Sequence, residues 1–275
     1  MPMPSPPWQK LEEYTKVAIE AAQLGACMLQ ACAKRGFEVE RKTPLNLVTD
    51  ADRESERAVV AAIRRQCPDH QILAEEEGFY TTQRSPWKWI IDPLDGTTNF
   101  AHGFPAYAVS IGLEYEGHCV LGVVIDPTRD EVFVGITGKG ATLNGLPIQV
   151  SHVTQLDQAL LVTGFGYDLR ETDDNNLAEF CQFSLCTQGV RRTGSAVLDL
   201  CYVACGRFDA FWELTLNPWD TAAGVVIVRE AGGMVTNYQG APFSIYEKKL
   251  VASNGRIHQE CLKVLQRVRG QCGRL

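Results

Sequence analysis

The sequence predicts a fold of mixed class, α+β in its first half and α/β in its second. Three patterns predict it. Apolar residues recur at 11, 14, 17, 21, 24, 28 and 32, which is helical spacing. Between Tyr107 and Val150 short apolar runs are cut by brief turn signals, which implies antiparallel neighbours. After about Ser151 strand and helix patterns alternate. The chain thus divides into a frayed start over 1–7, a helical and antiparallel half over 8–150, and an α/β half over 151–275 that completes a shared site.

Each element has its own signal. Trp8 to Lys34 reads as a helix that Gly36 can end, and a second runs from about Ala51 to Gln66, stopping before Pro68. Gln71 to Ala74 and Trp87 to Ile91 read as strands. Turns at Glu116-Gly117, Pro127 to Asp130, Gly138 to Gly140 and Asn144-Gly145 divide the meander, the last being a two-residue hairpin signal. Beyond it, Ala159 to Val162, Phe208 to Leu214 and Val251 to Ser253 are strands. Leu177 to Cys186, Ser195 to Cys205, Trp219 to Ala231 and a stretch starting near Gly255 are helices.

Composition excludes several classes. The 26 basic and 33 acidic residues leave a net charge of −7, with no run of Lys or Arg. That argues against a nucleic-acid partner or an anionic membrane surface. The longest apolar run, Ala222 to Val228, is too short to span a bilayer, and Met1 to Pro7 is neither signal peptide nor anchor. Of ten cysteines, Cys27, Cys32, Cys201 and Cys205 lie on apolar helical stripes, and no Cys-x-x-Cys pair occurs. Reduced thiols in a cytoplasmic protein fit better than disulfides or zinc.

The most informative stretch is Trp89-Ile-Ile-Asp92-Pro-Leu-Asp95-Gly-Thr-Thr-Asn-Phe100. A buried strand ends at two carboxylates. Pro93 has a fixed φ and no N–H, so it is expected to stop the pairing and turn the chain. Both carboxylates and the Leu94 carbonyl can then converge. Gly96 lets a phosphate approach the backbone, and Thr97 adds a hydroxyl. Carboxylates beside an anion site call for cations between them. Magnesium takes oxygen ligands at about 2.0–2.1 Å. Two such ions about 3.5–4 Å apart can hold the attacking and leaving oxygens of a phosphoryl transfer. A plain surface turn is the competing reading.

Three other acidic segments carry the same ambiguity. Glu75-Glu76-Glu77 follows a strand; extended geometry would put Glu75 and Glu77 on one face, and a solvated turn is the alternative. Thr49-Asp-Ala-Asp52 opens a helix, so capping explains Asp50 and is sufficient for Asp52 as well. Asn217-Pro-Trp-Asp220 opens another, with Asp220 balanced between cap and ligand and Glu213 within reach of the same cleft. His70, His102, His118, His152 and His258 fall among loop and turn signals and form no triad.

Taken together, these segments resemble the inositol monophosphatase family of lithium-sensitive, magnesium-dependent phosphatases. Asp92 to Phe100 matches its first signature, and Pro218-Trp-Asp220 through Ala231-Gly-Gly233 its second. The resemblance implies a layered αβαβα sandwich, a homodimer, and hydrolysis of a phosphate monoester such as myo-inositol 1-phosphate with two or three Mg2+ ions. By matched position, Glu75, Asp92 and the Leu94 carbonyl hold the first ion, and Asp92, Asp95 and Asp220 the second. Glu75 and Thr97 orient the attacking water, and Asp52 supports it through Thr97 or a third, weaker ion. The backbone of Asp95, Gly96 and Thr97 holds phosphate. Glu213 and Asp220 meet the alcohol's hydroxyls, and Arg191 with Gly194-Ser195-Ala196 lines that side.

Three departures from the family pattern matter. Ala74 stands where many members have Gly. Arg41-Lys42-Thr43-Pro44 lies where a loop often supplies a Lys, with the one-residue register between Arg41 and Lys42 open. Tyr167-Asp168 replaces a small hydroxyl residue of animal members, which widens the substrate question. A fructose-1,6-bisphosphatase would need a basic pocket, with Arg191 and Arg192 as candidates, and a histidinol-phosphate phosphatase acidic contacts. The nucleotide 3′-phosphatase branch usually has Lys and Glu where Thr98 and Asn99 stand. A regulatory binding protein on the same fold is the alternative from another class.

Overall fold

The computed structural model describes residues 8–41, 47–79 and 84–272. The Pro-rich start and Lys42-Thr43-Pro44 lie outside the described residues. Helix α1 (Trp8–Arg35) leads through strands β1 (Val39–Arg41) and β2 (Leu47–Thr49) into α2 (Asp50–Gln66). Then come β3 (Gln71–Ala74), β4 (Gly78–Phe79), β5 (Trp87–Asp95) and the single-turn α3 (Thr97–Ala101). The meander is β6 (Ala108–Tyr115), β7 (His118–Asp126), β8 (Glu131–Ile136), β9 (Gly140–Leu143) and β10 (Leu146–Pro147). The second half runs β11 (Leu160–Thr163), α4 (Leu177–Cys186), β12 (Gly189–Arg191), α5 (Ala196–Ala204) and β13 (Ala210–Glu213). It ends with α6 (Pro218–Glu230), β14 (Met234–Thr236), β15 (Leu250–Ser253) and α7 (His258–Cys272).

Two sheets result. The larger has eight strands in the order β10-β9-β8-β7-β6-β5-β3-β4, and only the β3–β5 pair within it is parallel. The smaller has five, β12-β11-β13-β15-β14, with β11 parallel to both neighbours. Helices α1 and α2 cover one face of the large sheet, burying Leu11, Leu29 and Ile63 with Trp89. Helices α5 and α6 fill the space between the sheets, and α4 and α7 close the outer face of the small one. This is the αβαβα layering.

A row of glycines seats α6. Gly112, Gly122 and Gly135 lie opposite one another in β6, β7 and β8. A Cβ on Gly122 would stand 2.2 Å from the Ala223 carbonyl oxygen, and one on Gly112 2.6 Å from the Ala222 Cβ. Without side chains there, the α6 backbone settles directly on the sheet. The seat also fixes where Asp220, in the first turn of α6, sits.

Several sequence expectations change. The strand expected to end at Ile91 continues as β5 to Asp95. Pro93 does not stop pairing but sits in a bulge, between the Asp92–Ser110 and Asp95–Ala108 pairs. Glu75 and Glu77 do not share a strand face, because the chain turns at 75–77; Glu77 instead lies 3.8 Å from Arg57. Cys27 is exposed, and Cys205 is only partly covered. His70 is buried and accepts a hydrogen bond from Trp89 Nε1, at 3.1 Å. His258, also buried, opens α7 between the Thr236 and Ser253 hydroxyls, at 2.8 Å each. Asn144 and Gly145 form the expected hairpin, both with positive φ. No helix among the described residues is long and apolar enough to cross a membrane.

Candidate active site

A cleft of about 400 Å³ opens where β5, the 75–77 turn and the starts of α5 and α6 meet. Glu75, Asp92, Leu94, Asp95, Gly96 and Thr97 line one side. Gly194, Ser195, Ala196, Glu213 and Asp220 line the other. Asp52 stands behind this wall. Arg191 does not line the cleft: it is the exposed end of the edge strand β12, and Arg192 faces in instead. Arg41 ends the exposed strand β1 and is not among the residues that line the cleft.

Each acid is held by local geometry. Asp52 caps α2 and also reaches Thr97 in the cleft wall. Its Oδ2 accepts from Thr49 N–H at 2.7 Å and from the Thr49 hydroxyl at 2.6 Å, closing a capping box. Its Oδ1 lies 3.0 Å from the Thr97 hydroxyl, which is also 3.1 Å from the Leu94 carbonyl. Asp92 Oδ1 accepts from Leu94 N–H at 3.0 Å. Asp220 Oδ2 accepts from Asn217 N–H at 2.6 Å in a second capping box.

Asp95 is anchored across the cleft. Its Oδ2 accepts from the Ser195 hydroxyl at 2.6 Å and from Val197 N–H at 2.7 Å, so the carboxylate caps α5 from another element. Ser195 therefore lines the cleft and holds Asp95 in place. Sequence reading missed this bond because it spans a hundred residues. It also missed Asp199, buried in the first turn of α5 and bonded to the Thr193 hydroxyl.

Gly96 (φ +99°) occupies the left-handed region, and a Cβ there would meet the Ala106 carbonyl oxygen at 2.8 Å. Only glycine makes the turn from β5 into α3 without strain. Gly164 is constrained differently: a Cβ would stand 2.2 Å from the Glu213 carboxylate, so that strand end and Glu213 are packed into contact.

The electrostatics are one-sided. Among the described residues, seven carboxylates and a single guanidinium, Arg192, line the cleft. Burial pushes the Asp92 carboxyl far up, and the charges of Glu75, Asp95 and Asp220 push it further. Asp220 is raised to about 7 by burial and by Asp95. Burial raises Asp95 to about 6 against the pull of its Ser195 and Val197 bonds, and Asp52 to about 6 against its Thr49 bonds. Glu213 is raised by burial, then by Asp220 and Asp95, with Arg192 opposing.

Such a cluster is stable in its ionised form only beside positive charge. Among the described residues no three His, Cys, Asp or Glu side chains form a ready-made metal cage. The acids instead line one shared cavity with the Leu94 carbonyl beside them. An all-oxygen donor set of this kind suits a hard divalent cation.

Comparison with known proteins identifies the family. The model of the inositol monophosphatase family matches residues 10–269. The chain is 50% identical over 256 residues to an inositol-1-monophosphatase of a Synechocystis species, spanning 93% of this chain and 89% of that one. It is 40% identical over 262 residues to the Nus factor SuhB of Pseudomonas aeruginosa, spanning 93% and 97%. A solved inositol monophosphatase from Anabaena (Nostoc) superposes with a TM-score of 0.86 at 47% identity, over 94% and 97% of the two chains. With both signature segments meeting in one acidic cleft on an αβαβα fold, the chain belongs to the inositol monophosphatase family, a family of phosphatases.

Proposed function

We propose that the chain hydrolyses phosphate monoesters with magnesium, and that myo-inositol 1-phosphate is its main substrate. One observation carries the reading: a cleft whose described residues include seven carboxylates and one guanidinium repels a phosphate dianion unless cations enter with it. Glu75, Asp92, the Leu94 carbonyl, Asp95 and Asp220 suit two or three magnesium ions by their donor chemistry. Bound there, the ions supply positive charge for the phosphate, make water a stronger nucleophile and offset charge on the leaving alcohol.

The chain's own groups supply the rest. The Thr97 hydroxyl gives its proton to Asp52 or to Leu94 O, so it presents lone pairs to the cleft. It can therefore accept a hydrogen bond from water and orient it, as can the Glu75 carboxylate. The turn at Gly96 brings the Asp95, Gly96 and Thr97 backbone close to a phosphate. Water's oxygen bonds to phosphorus as the ester oxygen leaves and takes up a proton. Glu213 and Asp220 accept hydrogen bonds from the hydroxyls of a polyol.

Substrate choice follows from charge. Among the described residues of the cleft, a second phosphate would find only Arg192 as a cation, set among Glu213 and Asp199. We expect kcat/KM for inositol 1-phosphate to exceed that for fructose 1,6-bisphosphate by at least about tenfold. Histidinol phosphate should fall between them, since acids tolerate its amine. Steady-state kinetics on the three esters checks this order, and a preference for the bisphosphate would refute it.

The pH dependence of magnesium binding has a definite sign. A carboxyl with a raised folded-state pKa stabilises the fold below its unfolded pKa, and that stability is lost as pH climbs through the folded value. Asp95 at about 6 and Asp220 at about 7 therefore cost the metal-free protein stability as pH rises through those values. Magnesium needs the deprotonated acids. Its stabilising effect should grow from about pH 5 to about pH 8. Burial pushes His70 and His258 down to about 4, which acts in the opposite sense. That effect is the same with and without magnesium, so it cancels in the difference. Melting temperatures measured both ways across this range test it, and a pH-independent shift would count against these ligands.

A homodimer, a cytoplasmic location and inhibition by lithium belong to the same reading. Nine free cysteines among the described residues support a reducing compartment. Every matched acid is present, which supports catalysis, and the likeness to a protein named Nus factor SuhB is the ground for a regulatory role on the same fold as the second reading.

A further inference from the structure

We infer that Glu56 is a positioning residue whose buried carboxylate clamps the turn that presents Glu75 to the cleft. The inference rests on the magnesium reading above. Asp52, Ser55 and Glu56 are spaced i, i+3 and i+4 in α2 and share its inward face. Glu56 is 1% exposed, unusual for a glutamate. Its Oε2 accepts from Glu76 N–H and its Oε1 from Glu77 N–H, both at 2.9 Å. Glu75 N–H donates to the Ile91 carbonyl at 3.2 Å. Three successive N–H groups of the turn are thereby fixed, one by the last rung of the β3–β5 ladder and two by a single carboxylate.

The same helical face reaches the other ligand-bearing segments. Ser55 Oγ donates to the Pro93 carbonyl at 2.8 Å, and Asp52 meets Thr97. One surface of α2 thus touches the Glu75 turn, the Asp92–Asp95 bulge and Thr97. A buried carboxylate is costly unless both oxygens are matched. An apolar side chain would serve packing alone at less cost, so the clamp accounts for a glutamate here. It is an outer partner that orients a ligand without touching the ion.

Glu56→Gln tests this. The amide keeps the shape but offers one acceptor oxygen, so either Glu76 or Glu77 N–H faces an NH2 group and the turn is released. Calorimetric magnesium affinity of the free protein should fall roughly tenfold or more. The magnesium concentration for half-maximal activity should rise by the same factor, with kcat at saturating magnesium near that of the wild type. Glu56→Asp keeps both acceptors on a shorter arm and should fall between, which preserves the test if the glutamine variant folds poorly. A lowered melting temperature with unchanged magnesium affinity, beside an active wild type, would overturn the clamp alone. A wild type that neither binds magnesium nor releases phosphate would overturn the underlying reading instead.

Discussion

Asp95→Asn should lower kcat/KM on the order of a thousandfold while leaving the fold standing. The Asp95 Oδ2 accepts from Ser195 Oγ and Val197 N–H. Asparagine can place its carbonyl oxygen there and keep both bonds. Its NH2 group then takes the place of the second carboxylate oxygen, a donor where a cation needs an acceptor. The substitution also removes one charge that raises Asp92 and Asp220. The metal-free variant should therefore melt no lower than the wild type. Kinetics and thermal denaturation together check this, and near wild-type turnover would contradict the role given to Asp95.

Gly122→Ala should have the largest effect on stability. The new Cβ would lie 2.2 Å from the Ala223 carbonyl oxygen and 2.8 Å from its carbonyl carbon and Cα. These are backbone atoms in a helix seated on a sheet, with no flexible side chain to swing aside. Either α6 lifts or β7 bows, and both open the core between the sheets. Overpacking costs about 1–3 kcal/mol, more when backbone must move, so ~3 kcal/mol is the expected loss. In a chain of this size that lowers the melting temperature by about 6–12 °C. Because α6 carries Asp220, kcat/KM should fall as well. An unchanged melting temperature would show that the glycine row does not set the helix height.

What the sequence showed plainly was whatever repeats or whatever is local. The helical period of α1 and the turns of the β6–β9 meander are read within a few residues of themselves. So is the Asn144-Gly145 hairpin, because two adjacent positive φ angles favour those residue types. Asp92, Asp95 and Asp220 stood out because each lies in a contiguous signature segment.

The rest depends on distant partners. β5 passes Pro93 because β6 tolerates a bulge there, which no local rule foretells. Arg192 rather than Arg191 faces the cleft because alternation beside a three-residue edge strand leaves the register open, and a one-residue slip reverses the face. His70 is buried among Tyr14, Trp87 and Trp89, the last of which donates to it from nineteen residues on. Ser195 and Glu56 act through atoms far away in the chain. From their own neighbourhoods, Ser195 reads as the start of a helix and Glu56 as a polar position inside one.

The most direct test is release of inorganic phosphate from myo-inositol 1-phosphate by chelator-stripped protein, titrated with magnesium. The expected result is no release after chelation, recovery on adding magnesium, and no recovery in Asp95→Asn. Release that survives chelation, or a magnesium-loaded wild type that releases none, would contradict the assignment of the acidic cleft as a magnesium-dependent phosphatase site.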